Sequence, residues 1–147
     1  MFIVVITCLL LVFGTTVIHY EALRLLNTFL PQLRIHNRLK LLVVMFSAFV
    51  AHAVEIAAYG SAFFFLVDVM AVGHVTGGAV FSPMTCMYFS AENFTSLGFG
   101  DLTPIGPVRL LAGVEALNGL LLIAWTASFT YLSMQKFWSP EAELDSH

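Results

Sequence analysis

Three apolar segments, each long enough to cross a bilayer, constrain this chain more than any other feature. A spanning helix needs about 20 mostly apolar residues. The stretches from Phe2 to about His19, from Leu41 to about Val72 and from Val108 to about Met134 meet that requirement. Inside hydrocarbon the backbone N–H and C=O groups must find partners within the protein, so helices are the expected form. The composition agrees: of 147 residues 59% are hydrophobic and only 10% charged, where a soluble domain is nearer half apolar and a quarter charged. An all-α membrane protein is the expected class, with three transmembrane helices. The net charge of -3 argues for no particular partner.

The segments have readable ends. Residues 1–30 lack the basic start and small-residue cleavage site of a signal peptide and are expected to form a membrane helix. That helix continues through Tyr20 to Leu26, where charges stand between leucines, until Pro31 stops it. Residues 31–40, carrying Arg34, Arg38 and Lys40, read as a basic connector. Gly73 to Gly78 reads as a turn-rich loop. Ser82-Pro83 is a helix start, with Ser as N-cap and Pro in the first turn. The helix that follows, Met84 to about Phe94, is too short to cross, so it is expected to be a re-entrant half-helix. Residues 139–147 form a short polar tail. Phe63-Phe64-Phe65 reads as lipid-facing and packing surface, and Cys8 and Cys86 as neither a disulfide framework nor a metal site. Four of the six Lys and Arg residues (Arg24, Arg34, Arg38, Lys40) flank the first connector and Lys136 follows the last span. Both places lie on one side of a three-span protein, which puts the connector and C-terminus in the cytoplasm and the N-terminus outside. The expected location is the cell membrane.

Between the half-helix and the third span stands Thr95-Ser96-Leu97-Gly98-Phe99-Gly100-Asp101. Glycine visits backbone dihedrals closed to other residues. With glycine at every second position, successive carbonyls can turn the same way. Oxygens aimed together, with a hydroxyl at one end, suit a dehydrated cation. The run resembles the selectivity filter of the potassium-channel pore family. The usual spelling is T-T-V-G-Y-G-D, so Ser96, Leu97 and Phe99 are departures. The resemblance extends from Phe81 to about Trp138 and marks residues 41–138 as a pore domain with one helix added before it.

The resemblance implies passive K⁺ conduction by a homotetramer, with the carbonyls of Ser96, Leu97, Gly98 and Phe99 and the Ser96 hydroxyl replacing the ion's hydration shell. Thr95 and Gly100 complete the filter. Tyr88 and Phe89 fall where a tryptophan pair often packs around it, Glu92 where some members carry a buried acid, and Asp101 closes it. Gly119 falls near the inner-helix glycine used as a hinge; a close helix crossing is the structural alternative. No cofactor is implied beyond K⁺ as permeant ion. The expected partners are copies of the chain and lipid, with no nucleic acid or small-molecule substrate.

Other readings compete. Gly98-Phe99-Gly100-Asp101 also spells the G-x-G-D of intramembrane aspartyl proteases, but the only other candidate acid is Asp68, near the outer end of its span. No enzyme is expected. A weakly selective cation channel, or a pore-like partner that conducts nothing, fits the same residues. Arg34 and Arg38 lie in a connector, not in a row inside a span as a voltage sensor requires. Glu115 is expected to bond a structural partner such as Tyr59 or Ser61. His52 and Glu55, three apart on one helix face and deep in the bilayer, form a possible pH-sensitive pair. Alternatively they satisfy each other or a first-helix residue such as Thr15 or Thr16, with Ala124, Ala127 and Ser128 of the third span leaving room.

Overall fold

The computed structural model describes residues 1–78 and 80–138; the expected tail at 139–147 lies outside the described residues. Three long helices, α1 (Phe2–Phe29), α2 (Asn37–Phe64) and α4 (Val108–Trp138), are joined by a short one, α3 (Pro83–Phe94), between α2 and α4. The long three are each extended and apolar enough to cross a membrane, and the chain is an all-α membrane protein.

Helix ends follow local chemistry. A 3-10 turn, Leu30–Gln32, ends α1 at Pro31, whose ring has no N–H to continue the ladder. The α2 helix starts at Asn37, so the expected connector is shorter than residues 31–40. Its first turn gains a tertiary partner: the Lys40 ammonium lies 5.0 Å from the centre of the Phe137 ring near the end of α4, a cation–π contact. A π-helical turn, Phe65–Val69, closes α2.

The Gly73–Gly78 stretch is not only a loop. It contains strand β1 (His74–Gly77), antiparallel to β2 (Leu102–Ile105), with His74 opposite Ile105 and Gly77 opposite Leu102. A Cβ on Gly77 would collide with the Asp101 carbonyl, which explains the glycine. The ribbon ties the approach to α3 to the chain just beyond Asp101, so the Thr95–Asp101 run is anchored at its C-terminal end.

The α3 helix begins as its sequence requires. Ser82 Oγ accepts the Thr85 N–H at 3.1 Å and Pro83 occupies the first turn. The helix packs against both α2 and α4 at two glycine notches. A Cβ on Gly60 of α2 would lie 3.1 Å from Met87 Cα. On α4, a Cβ on Gly119 would strike Phe94. Lipid tails are as apolar as leucine, so helix association here depends on close packing and hydrogen bonds instead of water exclusion. Tyr59 and Phe63 of α2 and Leu66 of the π-helical turn meet Phe89 and Phe94 of α3 and Leu111 and Leu122 of α4 in one buried cluster, with Val4 and Cys8 of α1. The Phe63–Phe65 triplet is therefore divided. Phe63 is buried edge-on against Phe89 at 5.0 Å, Phe64 stacks on Phe81, and Phe65 alone is exposed.

Candidate functional site

The Thr95–Asp101 run leaves the C-terminus of α3 in an alternating backbone. Ser96, Gly98 and Gly100 have φ of 56°, 53° and 78°, whereas Leu97 and Phe99 do not enter the left-handed region. Glycine adopts it freely; Ser96 is held there by its surroundings. Three consecutive amides point at one residue. The Leu97 and Gly98 N–H groups donate to the Glu92 carbonyl at 3.0 and 3.4 Å, and the Phe99 N–H donates to Glu92 Oε1 at 3.2 Å. No peptide bond among the described residues is cis, and a trans peptide directs its N–H and C=O oppositely. The carbonyls of Ser96, Leu97 and Gly98 therefore face away from Glu92.

Glu92 is buried and bonds a backbone amide. Its carboxylate makes no hydrogen bond to Asp101 among the described residues. Tyr88 is the electrostatic neighbour of both acids, and its ring stacks on Phe99 at 6.5 Å with 6° between planes. Of the expected aromatic pair only Tyr88 backs the run, because Phe89 turns to Phe63 of α2. The Thr95 hydroxyl is turned back to the Ala91 carbonyl of α3 at 2.7 Å. The Ser96 hydroxyl lies 3.5 Å from the Ala116 carbonyl of α4.

Gly119 is a close-packing position against Phe94. Glu115, also buried, bonds neither Tyr59 nor Ser61: its partner is Ser90 of α3. The Tyr59 hydroxyl instead meets Asn118 of α4, whose amide also donates to Thr15 Oγ1 of α1.

His52 and Glu55 do meet, at 2.8 Å between Nδ1 and Oε2. The first-helix partner is His19, not Thr15 or Thr16: His19 Nδ1 lies 3.0 Å from Glu55 Oε1. The α4 partner is Thr126, whose Oγ1 lies 3.0 Å from His52 Nε2 and 3.2 Å from His19 Nε2. Ser128 bonds its own helix at Ala124. His19, Asn118, Thr126 and Ser90 were not singled out by motif. The available signal was periodic: Thr15 and His19 are four apart in an apolar helix, and Glu115, Asn118, Leu122 and Thr126 recur at three- and four-residue steps.

A family model described as "Ion channel" matches residues 39–136. No curated protein and no solved structure matches the chain. The match spans well over half the chain, and the chain belongs to this family of two-helix pore ion channels. The match begins inside α2's first turn, so α1 precedes the family domain.

Proposed function

We propose that this chain is a K⁺-selective channel that acts as a homotetramer, conducting K⁺ passively. The observation that carries the reading is the set of three amides bonded to Glu92, which leaves the Ser96, Leu97 and Gly98 carbonyls facing the opposite way. Oxygens in such a row, with the Phe99 carbonyl beyond them, replace water around a dehydrated cation. One row covers one side of an ion, and a cyclic assembly of four copies closes the ring. Leu97 and Phe99 are 63% and 66% exposed in the single chain, and neighbouring copies would cover them. The C-terminus of α3 precedes the filter, where the negative end of the helix dipole favours a cation.

In this reading Glu92 and Tyr88 hold the filter from behind, Asp101 closes it, K⁺ is the permeant ion and no cofactor takes part. The chain lies in the cell membrane with its N-terminus outside. The test is purified protein in liposomes under K⁺ or Na⁺ gradients. Strong K⁺ preference is expected; equal permeabilities would favour a weakly selective cation channel, and no flux a non-conducting partner subunit.

A further inference from the structure

His19, His52, Glu55 and Thr126 form a closed ring of contacts across three helices. Glu55 bonds both Nδ1 atoms, at 3.0 and 2.8 Å, and Thr126 Oγ1 bonds both Nε2 atoms, at 3.2 and 3.0 Å. The imidazoles stack at 5.2 Å. His19 and Glu55 are fully buried, and the His52 side chain is 17% exposed.

Hydrogen counting fixes how many protons the ring holds. An ionised carboxylate only accepts, so both Nδ1 atoms must carry hydrogen. A neutral imidazole then has an acceptor at Nε2. Thr126 has one hydrogen and can serve one Nε2 only. All four contacts are hydrogen bonds when one imidazole carries a second N–H, donates it to Thr126 Oγ1, and Thr126 donates to the other Nε2. Moving protons around the ring to give a neutral Glu55 keeps the same total. In both forms the ring is electrically neutral. Removing the proton leaves a buried negative charge and one Nε2 without hydrogen. Adding another leaves a buried positive charge and no ring acceptor for the Thr126 hydrogen. Buried uncompensated charge is costly in a membrane interior.

Thr126 supplies an independent sign. Thr7, Thr15, Thr28, Ser61, Ser128, Thr130 and Ser133 each donate to the carbonyl four residues back. Thr126 shows no such bond and gives its hydroxyl to the ring. No other ionisable group is bonded to the ring among the described residues. On α1, Glu21 and Arg24 pair with each other. On α2, Tyr59 bonds Asn118 and Lys40 lies over Phe137. On α3, Glu92 bonds the Phe99 amide. On α4, Glu115 bonds Ser90 and Lys136 lies near Phe137.

We propose that His19, His52, Glu55 and Thr126 are a proton-binding site that holds one shared proton and thereby locks α1 onto the pore domain. The lock is placed to influence conduction, because His52 lies edge-on to Phe94 at 5.6 Å, the last residue of α3 before the candidate filter. Loss of the shared proton releases α1 from α4 and changes channel open probability.

The test uses the full chain in lipid bilayers with ¹⁵N-labelled histidine, read by solid-state NMR from pH 5 to 9. His19→Asn and His52→Asn assign the two signals. The expected result is one excess proton shared by these two rings at neutral pH, lost in a single-proton step. Thr126→Val, nearly isosteric but without a hydroxyl, should move that step by at least tenfold in proton concentration, and Thr126→Ser should restore it. K⁺ flux in liposomes should follow the same step. Two neutral rings across the whole range would overturn the proposal, as would identical pH profiles for wild type and Thr126→Val. Stoichiometric Zn²⁺ on the purified chain at pH 7, seen as metal-shifted His19 and His52 nitrogens, would overturn it in favour of a cation site. The NMR count needs no conduction, so its failure is separate from any failure of K⁺ selectivity.

Discussion

Gly119 of α4 lies against the carbonyl of Phe94, the last residue of α3, so closely that no Cβ fits between them. The contact fixes the end of α3 one residue before the candidate filter begins. Gly119→Ala should therefore act as an overpacking change, costing about 1–3 kcal/mol, and should disturb the filter through Thr95. Thermal unfolding in detergent and the K⁺/Na⁺ permeability ratio are both expected to fall. A hinge would instead lose open probability with stability and ion preference intact, and that outcome would count against the packing role.

Glu92 serves three amides through two groups, and substitution can separate them. The main-chain carbonyl holds Leu97 and Gly98 whatever the side chain is, whereas Oε1 alone holds Phe99. Glu92→Gln keeps an oxygen for that amide and should conduct nearly as wild type. Glu92→Ala leaves the part-buried Phe99 N–H without this partner, a loss of about 1 kcal/mol. Single-channel recording should show shorter openings with K⁺ preference kept. Equal behaviour of Ala and wild type would remove the Phe99 contact from the account.

Much of this architecture was legible in the chain. Spanning lengths, the Ser82-Pro83 start and the alternating glycines are local signals, carried by composition and spacing, and local physics decides them. The residues that join helices were less so. Whether Glu115 reaches Tyr59 or Ser90, and which first-helix residue meets Glu55, depends on helix rotation, which an all-round apolar helix does not encode. Thr126 reads as one more hydroxyl in a span until its missing backbone bond is seen. Gly119 was ambiguous because a hinge and a close crossing ask for the same residue.

Gly98 sits at φ of 53° in the middle of the alternating run. A side chain there costs about 1–2 kcal/mol in the left-handed region, and relaxing it would swing the Leu97 and Gly98 carbonyls out of line. Space is not the obstacle, since a Cβ would meet nothing within 4 Å. Gly98→Ala should abolish selective K⁺ flux while the protein still folds and assembles, as judged by size-exclusion chromatography. Retained K⁺ preference would show that the dihedral is not what aligns the oxygens.

Ser90 has one hydroxyl hydrogen and two oxygens within reach, the Ile56 carbonyl at 2.8 Å and Glu115 Oε1 at 2.5 Å. A carbonyl cannot donate, so both contacts are hydrogen bonds only when the Glu115 carboxyl is the donor to Ser90. Glu115 is fully buried and its Oε2 has no partner among the described residues, a setting that a neutral acid tolerates better than a charge. Glu115→Gln supplies an N–H donor to Ser90 and should keep wild-type stability. Glu115→Ala strands Ser90 and opens space between α3 and α4, at a cost of about 2–5 kcal/mol on the scale of large-to-small core substitutions. Infrared difference spectra at pH 7 should show a protonated carboxyl band that Glu115→Gln removes. An unchanged spectrum, together with a Gln variant as unstable as Ala, would mean that Glu115 is ionised and that Ser90 is its donor.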